Sequence, residues 1–361
     1  MKLLRRLFVY FAIMGVLTVF IYFFAVPVGE VMFMPDDIRL SQSEIEENIS
    51  VTPNRLVVGS YDNIEPTDDN PRTYIDLKLF GVIKLKRIMV DILPYESVYA
   101  GGVPIGFIAK TDGVVVLQDG QGYKRGDVIT KMDSAPITSV IDLKKHLGDT
   151  KLGLWVKDET SGVGTLTYVN PDNNNFAALG HRLIDFETGA HVQLRGGEVY
   201  SCNVIGIEKS NKRTVGSIES TLKKGSNGVQ GSILSSNDRG VFGCLNDGSV
   251  LLQYCRDNLY PVSSRYTVKP GKASILVSLD GENIKEYEIE IIKTRYQKKH
   301  ADKGIIFRIT DSELLAATGG IVHGMSGSPI IQKGHIIGAV THVITGDVTK
   351  GYGVYIDFVL P

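Results

Sequence analysis

Residues 324–327, Gly324-Met325-Ser326-Gly327, set a serine between glycines, and a proline and an apolar run, Pro329-Ile330-Ile331, follow. A serine hydroxyl is a weak nucleophile until a base takes its proton and N–H groups stabilise the developing oxyanion. Backbone N–H groups converge on one point only where the chain turns without Cβ obstruction, which glycines at 324 and 327 permit. On this reading Ser326 is the candidate nucleophile, and the N–H groups of Gly324 and Ser326 form the oxyanion hole. The bland alternative is a Gly/Ser turn between two strands. Far upstream, His181 follows Phe176-Ala177-Ala178-Leu179-Gly180; taken alone, it reads either as a satisfied structural histidine or as a general base.

The stretch around Ser326 resembles the Gly-x-Ser-Gly-Gly-Pro signature of chymotrypsin-like serine peptidases, with Ser328 in place of the last glycine. Downstream, residues 335–342 resemble the strand that lines the substrate cleft, and residues 351–356 the closing strand of that fold. An α/β-hydrolase elbow fits worse. It wants glycine at 328 and a helix directly after the nucleophile, whereas Pro329 and the β-branched pair Ile330-Ile331 favour a strand.

These candidates must be held by the rest of a 361-residue chain, long enough for two or three domains. Lys plus Arg total 39 against 40 Asp plus Glu, so no field of one sign points to nucleic acid. Thirty-nine glycines and sixteen tyrosines suit a turn-rich β protein. Cys202, Cys244 and Cys255 show neither metal spacing nor a disulfide framework, although Cys244 and Cys255 could pair. No metal or cofactor is implied.

Residues 7–26 carry no charge and follow Lys2, Arg5 and Arg6. About twenty apolar residues span a bilayer core of ~30 Å, and the basic residues keep the N-terminus in the cytoplasm. The segment up to residue 27 is therefore expected to be a membrane anchor. A cleaved signal peptide is the alternative, but the apolar run is long and no small-residue cleavage site follows it. Residues 28–98 are expected to be a small extracytoplasmic β region. Its residues 73–81 and 82–92 alternate as a hairpin or two consecutive strands, and residues 60–72 read as a polar loop.

Residues 99–157 resemble a PDZ domain. Val103-Pro104-Ile105-Gly106-Phe107-Ile108 is similar to the carboxylate-binding loop and following strand, so Ile105, Gly106 and Phe107 are the expected peptide-binding residues. Residues 123–133 resemble the Gly-Asp turn and strand of that family, and Ser139 to Leu147 reads as a short helix with Val140, Leu143 and Leu147 on one face. Only residues 151–156 remain to close the domain. Residues 158–361 then supply many short β segments with glycine-rich turns, expected to form a pair of β-barrels or a sandwich.

Phe176-Ala177-Ala178-Leu179-Gly180-His181, Ile309-Thr310-Asp311, and Thr318 through Ile331 occur with Gly338-Ala339-Val340-Thr341-His342-Val343 and Gly351-Tyr352-Gly353-Val354. Together they resemble the stage IV sporulation protein B peptidase family of endospore formers, as does the order membrane segment, PDZ, peptidase. The resemblance implies a mainly β chain with a chymotrypsin-like double-barrel serine peptidase, Ser326 as nucleophile, His181 as general base and Asp311 as orienting acid. Asp311 lies only fifteen residues before Ser326, so Asp185 stays open as the acid and His342 as the base. The resemblance also implies export into the space between the forespore membranes. There the enzyme cleaves a membrane-bound regulatory protein, and itself, so that intramembrane proteolysis releases a late sigma factor. Peptide segments at the PDZ domain and self-association are the other expected partners. Two further classes fit the same residues: a catalytically inactive PDZ/trypsin-like adaptor, and an acyltransferase or esterase using the same triad.

Overall fold

The computed structural model describes the chain apart from Met1 and residues 48–50, 53–54, 62–71, 186 and 224–227. Most of the expected polar loop at 60–72 thus lies outside the described residues. The chain divides into two compact units, Met1–Glu96 and Ser97–Pro361.

The first unit opens with one long apolar helix. Helix α1 (Lys2–Phe20) passes through a π-helical turn, Ile21–Ala25, into α2 (Val26–Phe33). Pro27 has no N–H for the carbonyl one turn back, and the wider turn just before it absorbs that break. The stretch Arg5–Phe33, whose most apolar 18-residue window has mean hydropathy 2.4, has the length and composition of a membrane span or a signal sequence. It runs beyond residue 26 because residues 28–33 continue the helix rather than ending it.

Behind it, β1 (Asp37–Leu40), α3 (Gln42–Glu46), β2 (Val57–Tyr61), β3 (Arg72–Leu79) and β4 (Ile83–Ile92) form a four-stranded sheet of order β1-β4-β3-β2 with one short helix. The alternation seen in residues 73–92 produces the β3–β4 hairpin. Ile75, Leu77 and Leu79 point into the core with Ile88 and Val90. Ser41 and Glu44 close a capping box on α3.

The second unit holds two six-stranded barrels. In chain order its first half comprises β5 (Ser97–Ala100), β6 (Pro104–Val116), β7 (Val128–Ile129), β8 (Lys131–Met132), β9 (Ala135–Pro136) and α4 (Val140–Leu147). It continues with β10 (Val156–Val169), β11 (Asn175–Ala178), β12 (Leu194–Glu208), β13 (Ser217–Leu222), β14 (Val229–Asn237), β15 (Gly240–Leu245), α5 (Val250–Cys255) and β16 (Leu259–Pro261). Strands β6-β10-β11-β15-β14-β12 form a ring, closed because β6 pairs with both β10 and β12. Its interior is filled by side chains such as Phe107, Leu166, Phe176 and Ile233.

The second barrel, ordered β17-β18-β19-β22-β21-β20, is made from β17 (Gly271–Val277), β18 (Lys285–Thr294), β19 (Ile305–Ile309), α6 (Ser312–Thr318), β20 (Pro329–Gln332), β21 (His335–Ile344), β22 (Asp347–Tyr355) and α7 (Ile356–Val359), the helices lying outside the ring. Ile275, Ile289, Phe307, Ile330 and Val340 fill it.

This topology corrects the PDZ peptide site. β-strand addition needs an open sheet edge, and β6 has none. Ile105, Gly106 and Phe107 pair with Gly164, Val163 and Gly162 on one side and with Ser201, Tyr200 and Val199 on the other. All three are buried. A Cβ at Gly106 would lie 1.8 Å from Leu222 Cδ2. What remains of the PDZ-like pattern is an excursion between β6 and β10. The Gly126-Asp127 turn, β7 and α4 gather there around Val114, Val116, Ile129, Ile137 and Leu143. Ser139 caps α4, and Val140 and Leu147 pack with Leu143 as the spacing predicts.

Candidate active site

Ser326 sits in the loop between α6 and β20. Gly324 (φ +103) and Gly327 (φ +100) both take backbone conformations that side chains disfavour. Gly327 is also needed for space: a Cβ there would lie 2.2 Å from the Thr165 carbonyl oxygen and 2.7 Å from the Leu179 nitrogen. That close approach presses the serine loop of the second barrel against β10 and the His181 loop of the first. The Thr165 N–H donates to the Ser326 carbonyl at 2.9 Å, and its hydroxyl donates to the Gly324 carbonyl at 2.6 Å.

The N–H groups of the loop divide cleanly. Those of His323, Met325, Gly327 and Ser328 donate to backbone carbonyls. Those of Gly324 and Ser326 donate to nothing among the described residues. The His323 carbonyl, which shares a peptide plane with the Gly324 N–H, accepts from the Ile218 N–H at 2.9 Å, and the two free donors are available to an oxyanion beside the serine. A cavity of about 410 Å³ opens at Gly324 and His323, walled by Ser161, Val163 and Ile218. His323 is thus placed at the rim of a binding space.

His181 follows β11 through a strained step, since Leu179 has φ +73 and Gly180 φ +69. A bulky residue in the left-handed region is uncommon outside constrained sites. Gly180 packs against Thr341, 3.4 Å from its Cγ2 to a Cβ built at 180. The Ser326 hydroxyl donates to the carbonyl of the same Thr341 at 3.0 Å. Serine and histidine loops therefore meet on one residue of β21. The His181 Nδ1 lies 2.9 Å from the Arg182 carbonyl. A carbonyl only accepts, so Nδ1 carries the proton and Nε2 is left as the acceptor a general base needs. Burial lowers the proton affinity of His181 below the usual imidazole range, partly offset by the Arg182 carbonyl and the charge of Asp302. That direction favours the neutral form of the ring.

The carboxylate of the expected acid, Asp311, accepts two backbone N–H groups. Asp311 is the N-cap of α6: one carboxylate oxygen accepts from the Leu314 N–H at 2.9 Å and the other from Glu288 N–H at 3.4 Å. Its loop leads into the serine loop through α6, but its carboxylate is spent on these amides. Asp185 is also committed. It is buried and accepts from Thr160, from Thr188 and from Lys157, and these contacts hold its proton affinity low against the cost of burial. The carboxylate whose charge reaches His181 is Asp302, in the loop between β18 and β19. It carries no motif, lying in the charged stretch of residues 293–303, and pattern reading had no means of finding it. His342, the alternative base, does face the site: its ring centroid is 5.1 Å from that of His181.

The cysteines stand apart from this chemistry. All three are free thiols, so the candidate pair Cys244–Cys255 is not joined. Burial pushes Cys255 up to about 12 and Cys202 up to about 11, far from a reactive thiolate. Among the described residues no cluster of side chains is arranged to hold a metal ion.

A model of the family described as SpoIVB peptidase S55 matches residues 148–360, more than half of the chain. No curated protein matches the chain. The matched region begins inside the PDZ-like excursion, so it takes in all of the second barrel but not β6 of the first.

Proposed function

The chain belongs to the SpoIVB peptidase S55 family, a family of sporulation serine peptidases, and from that premise we propose that acyl transfer at Ser326 carries the activity. His181 accepts the serine proton on Nε2 once the hydroxyl leaves the Thr341 carbonyl. Oγ attacks the scissile carbonyl, and the Gly324 and Ser326 N–H groups hold the oxyanion. His181 then returns the proton to the leaving amine, and water releases the acyl group by the same path. The observation that carries this reading is the pair of unused N–H groups in a loop whose neighbouring N–H groups are all used. Asp311 serves the site through α6, by capping the helix that delivers the serine loop.

The substrate in this proposal is a membrane-bound regulatory protein, and the enzyme itself, cut on the extracytoplasmic side to trigger intramembrane proteolysis and late sigma-factor activation. Family membership and the apolar N-terminal helix support it, with Lys2, Arg5 and Arg6 on the cytoplasmic side. A fluorophosphonate probe tests the chemistry. It is expected to label Ser326 in the full chain, and Ser326→Ala is expected to lose both labelling and self-cleavage. An unlabelled but folded wild-type chain would instead make this an adaptor. A reporter fused after Gly29 tests the topology, with an extracytoplasmic signal expected.

A further inference from the structure

The catalytic reading leaves one constellation in the cleft without a task. His342 follows Thr341 on β21, and the Thr341 carbonyl holds the Ser326 hydroxyl. The His342 ring lies against His181, tilted by 42° at a centroid separation of 5.1 Å. Its Nε2 is 3.7 Å from Asp302 Oδ2, too long for a hydrogen bond but close enough for attraction. Its Nδ1 is buried and has no partner among the described residues. Asp302 is itself pinned, because its backbone carbonyl accepts from the Thr341 hydroxyl at 2.6 Å. One carboxylate, two imidazoles and the candidate nucleophile, from four separate segments, are thus gathered about Thr341 and His342 of β21.

A serine peptidase needs negative charge near its histidine when the imidazolium forms, and the two carboxylates suggested by the sequence are engaged elsewhere. We infer that His342 and Asp302 are positioning residues for the general base. The His342 ring fixes the plane of His181, and Asp302 supplies across it the charge that stabilises the imidazolium. The inference rests on the assignment of Ser326 and His181 above. No proton moves to Asp302; it passes from Ser326 Oγ to His181 Nε2 and on to the leaving group.

The charged groups around the pair agree with this. Asp302 raises the proton affinity of both histidines, while burial lowers both. Lys303 opposes Asp302 at His342, and the electrostatic influence of His191 lowers the proton affinity of His181. The Arg182 side chain is turned to Asp238 on the β14–β15 turn. Burial and the neighbouring His181 lower the proton affinity of His342, and a proton on it would repel the imidazolium.

The test is the rate of Ser326 labelling by a fluorophosphonate as a function of pH, in the full chain. Asp302→Asn keeps the backbone contact to Thr341 and removes only the charge. It is expected to lower the plateau rate by ~10²-fold, the low end for a positioned acid–base group, and to move the acid limb to lower pH. His342→Ala removes the ring that fixes the plane of His181, and is expected to slow labelling to a similar degree. The double variant is then no slower than the worse single variant, as two members of one unit require. Asp238→Asn should leave rate and acid limb unchanged. Wild-type rate and acid limb in Asp302→Asn would overturn the inference, as would the same changes appearing in Asp238→Asn instead. A slower Asp302→Asn with an unmoved acid limb and a lowered Tm would reduce the residue to a structural role. Labelling of Ser326→Ala at the wild-type rate would overturn the nucleophile assignment, and this inference with it.

Discussion

Replacing Asp311 by asparagine and by alanine separates two roles that one carboxylate can play. In the structure its oxygens accept the Leu314 and Glu288 N–H groups, so it caps α6 and ties that helix to β18. Asparagine caps a helix about as well as aspartate, whereas alanine leaves the amide unpaired and costs about 1 kcal/mol. For a unit of this size that lowers Tm by about 2–4 °C. Helix α6 runs from the cap to Gly319, five residues before the oxyanion glycine, so the alanine variant should also loosen the serine loop. A triad acid behaves differently: converting it to the amide preserves geometry but lowers turnover by ~10⁴ through the wrong histidine tautomer. Here the tautomer is set by the Arg182 carbonyl. The expectation is that Asp311→Asn keeps wild-type Tm and labels at nearly the wild-type rate, while Asp311→Ala loses stability. Calorimetry and the initial rate of probe labelling measure the two effects. A ~10⁴-fold loss in Asp311→Asn at unchanged Tm would refute the reasoning and require the cap to open so that the carboxylate reaches His181.

Ser326→Ala should lower peptide cleavage by ~10⁶ at unchanged Tm; comparable turnover in the purified variant would move the nucleophile elsewhere. Because burial lowers the proton affinity of His181, its neutral form persists to lower pH than usual, so the acid limb of the rate profile should lie below ~6.5. A midpoint above that value contradicts the burial of the base. Asp357 pairs with Arg265 at 2.5 Å, both nearly inaccessible, so Asp357→Ala, which strands the guanidinium, should cost ~3–5 kcal/mol; thermal or denaturant unfolding measures it, and a loss under 1 kcal/mol would show that water reaches the pair. A fragment of residues 148–361 lacks β6 and leaves β10 and β12 with unpaired edges. It should fail to give the circular dichroism and probe labelling of the full chain, and a folded, reactive fragment would contradict the closed ring.

Much of the site was legible because its signals are local. Glycines at 324 and 327 report a backbone that turns where side chains cannot follow, whatever surrounds them, and the structure finds both at positive φ. The hairpin of β3 and β4, the helix after Ser139 and the strands after Pro329 follow from periodicity and capping, which neighbours along the chain determine. Strand partnership is not local. Residues 103–108 read as the edge-forming stretch of a PDZ domain, yet both edges of β6 are filled by residues 162–164 and 199–201, a fact that only barrel closure decides. The same holds for the carboxylates. Asp311, Asp185 and Asp302 are chemically alike in the sequence, and only the tertiary structure assigns the first to a helix cap, the second to threonines and a lysine, and the third to the two histidines. A charge acts over a few ångströms of space rather than a few residues of chain, so the chain order of His181, Asp311 and Ser326 does not by itself bring the three together.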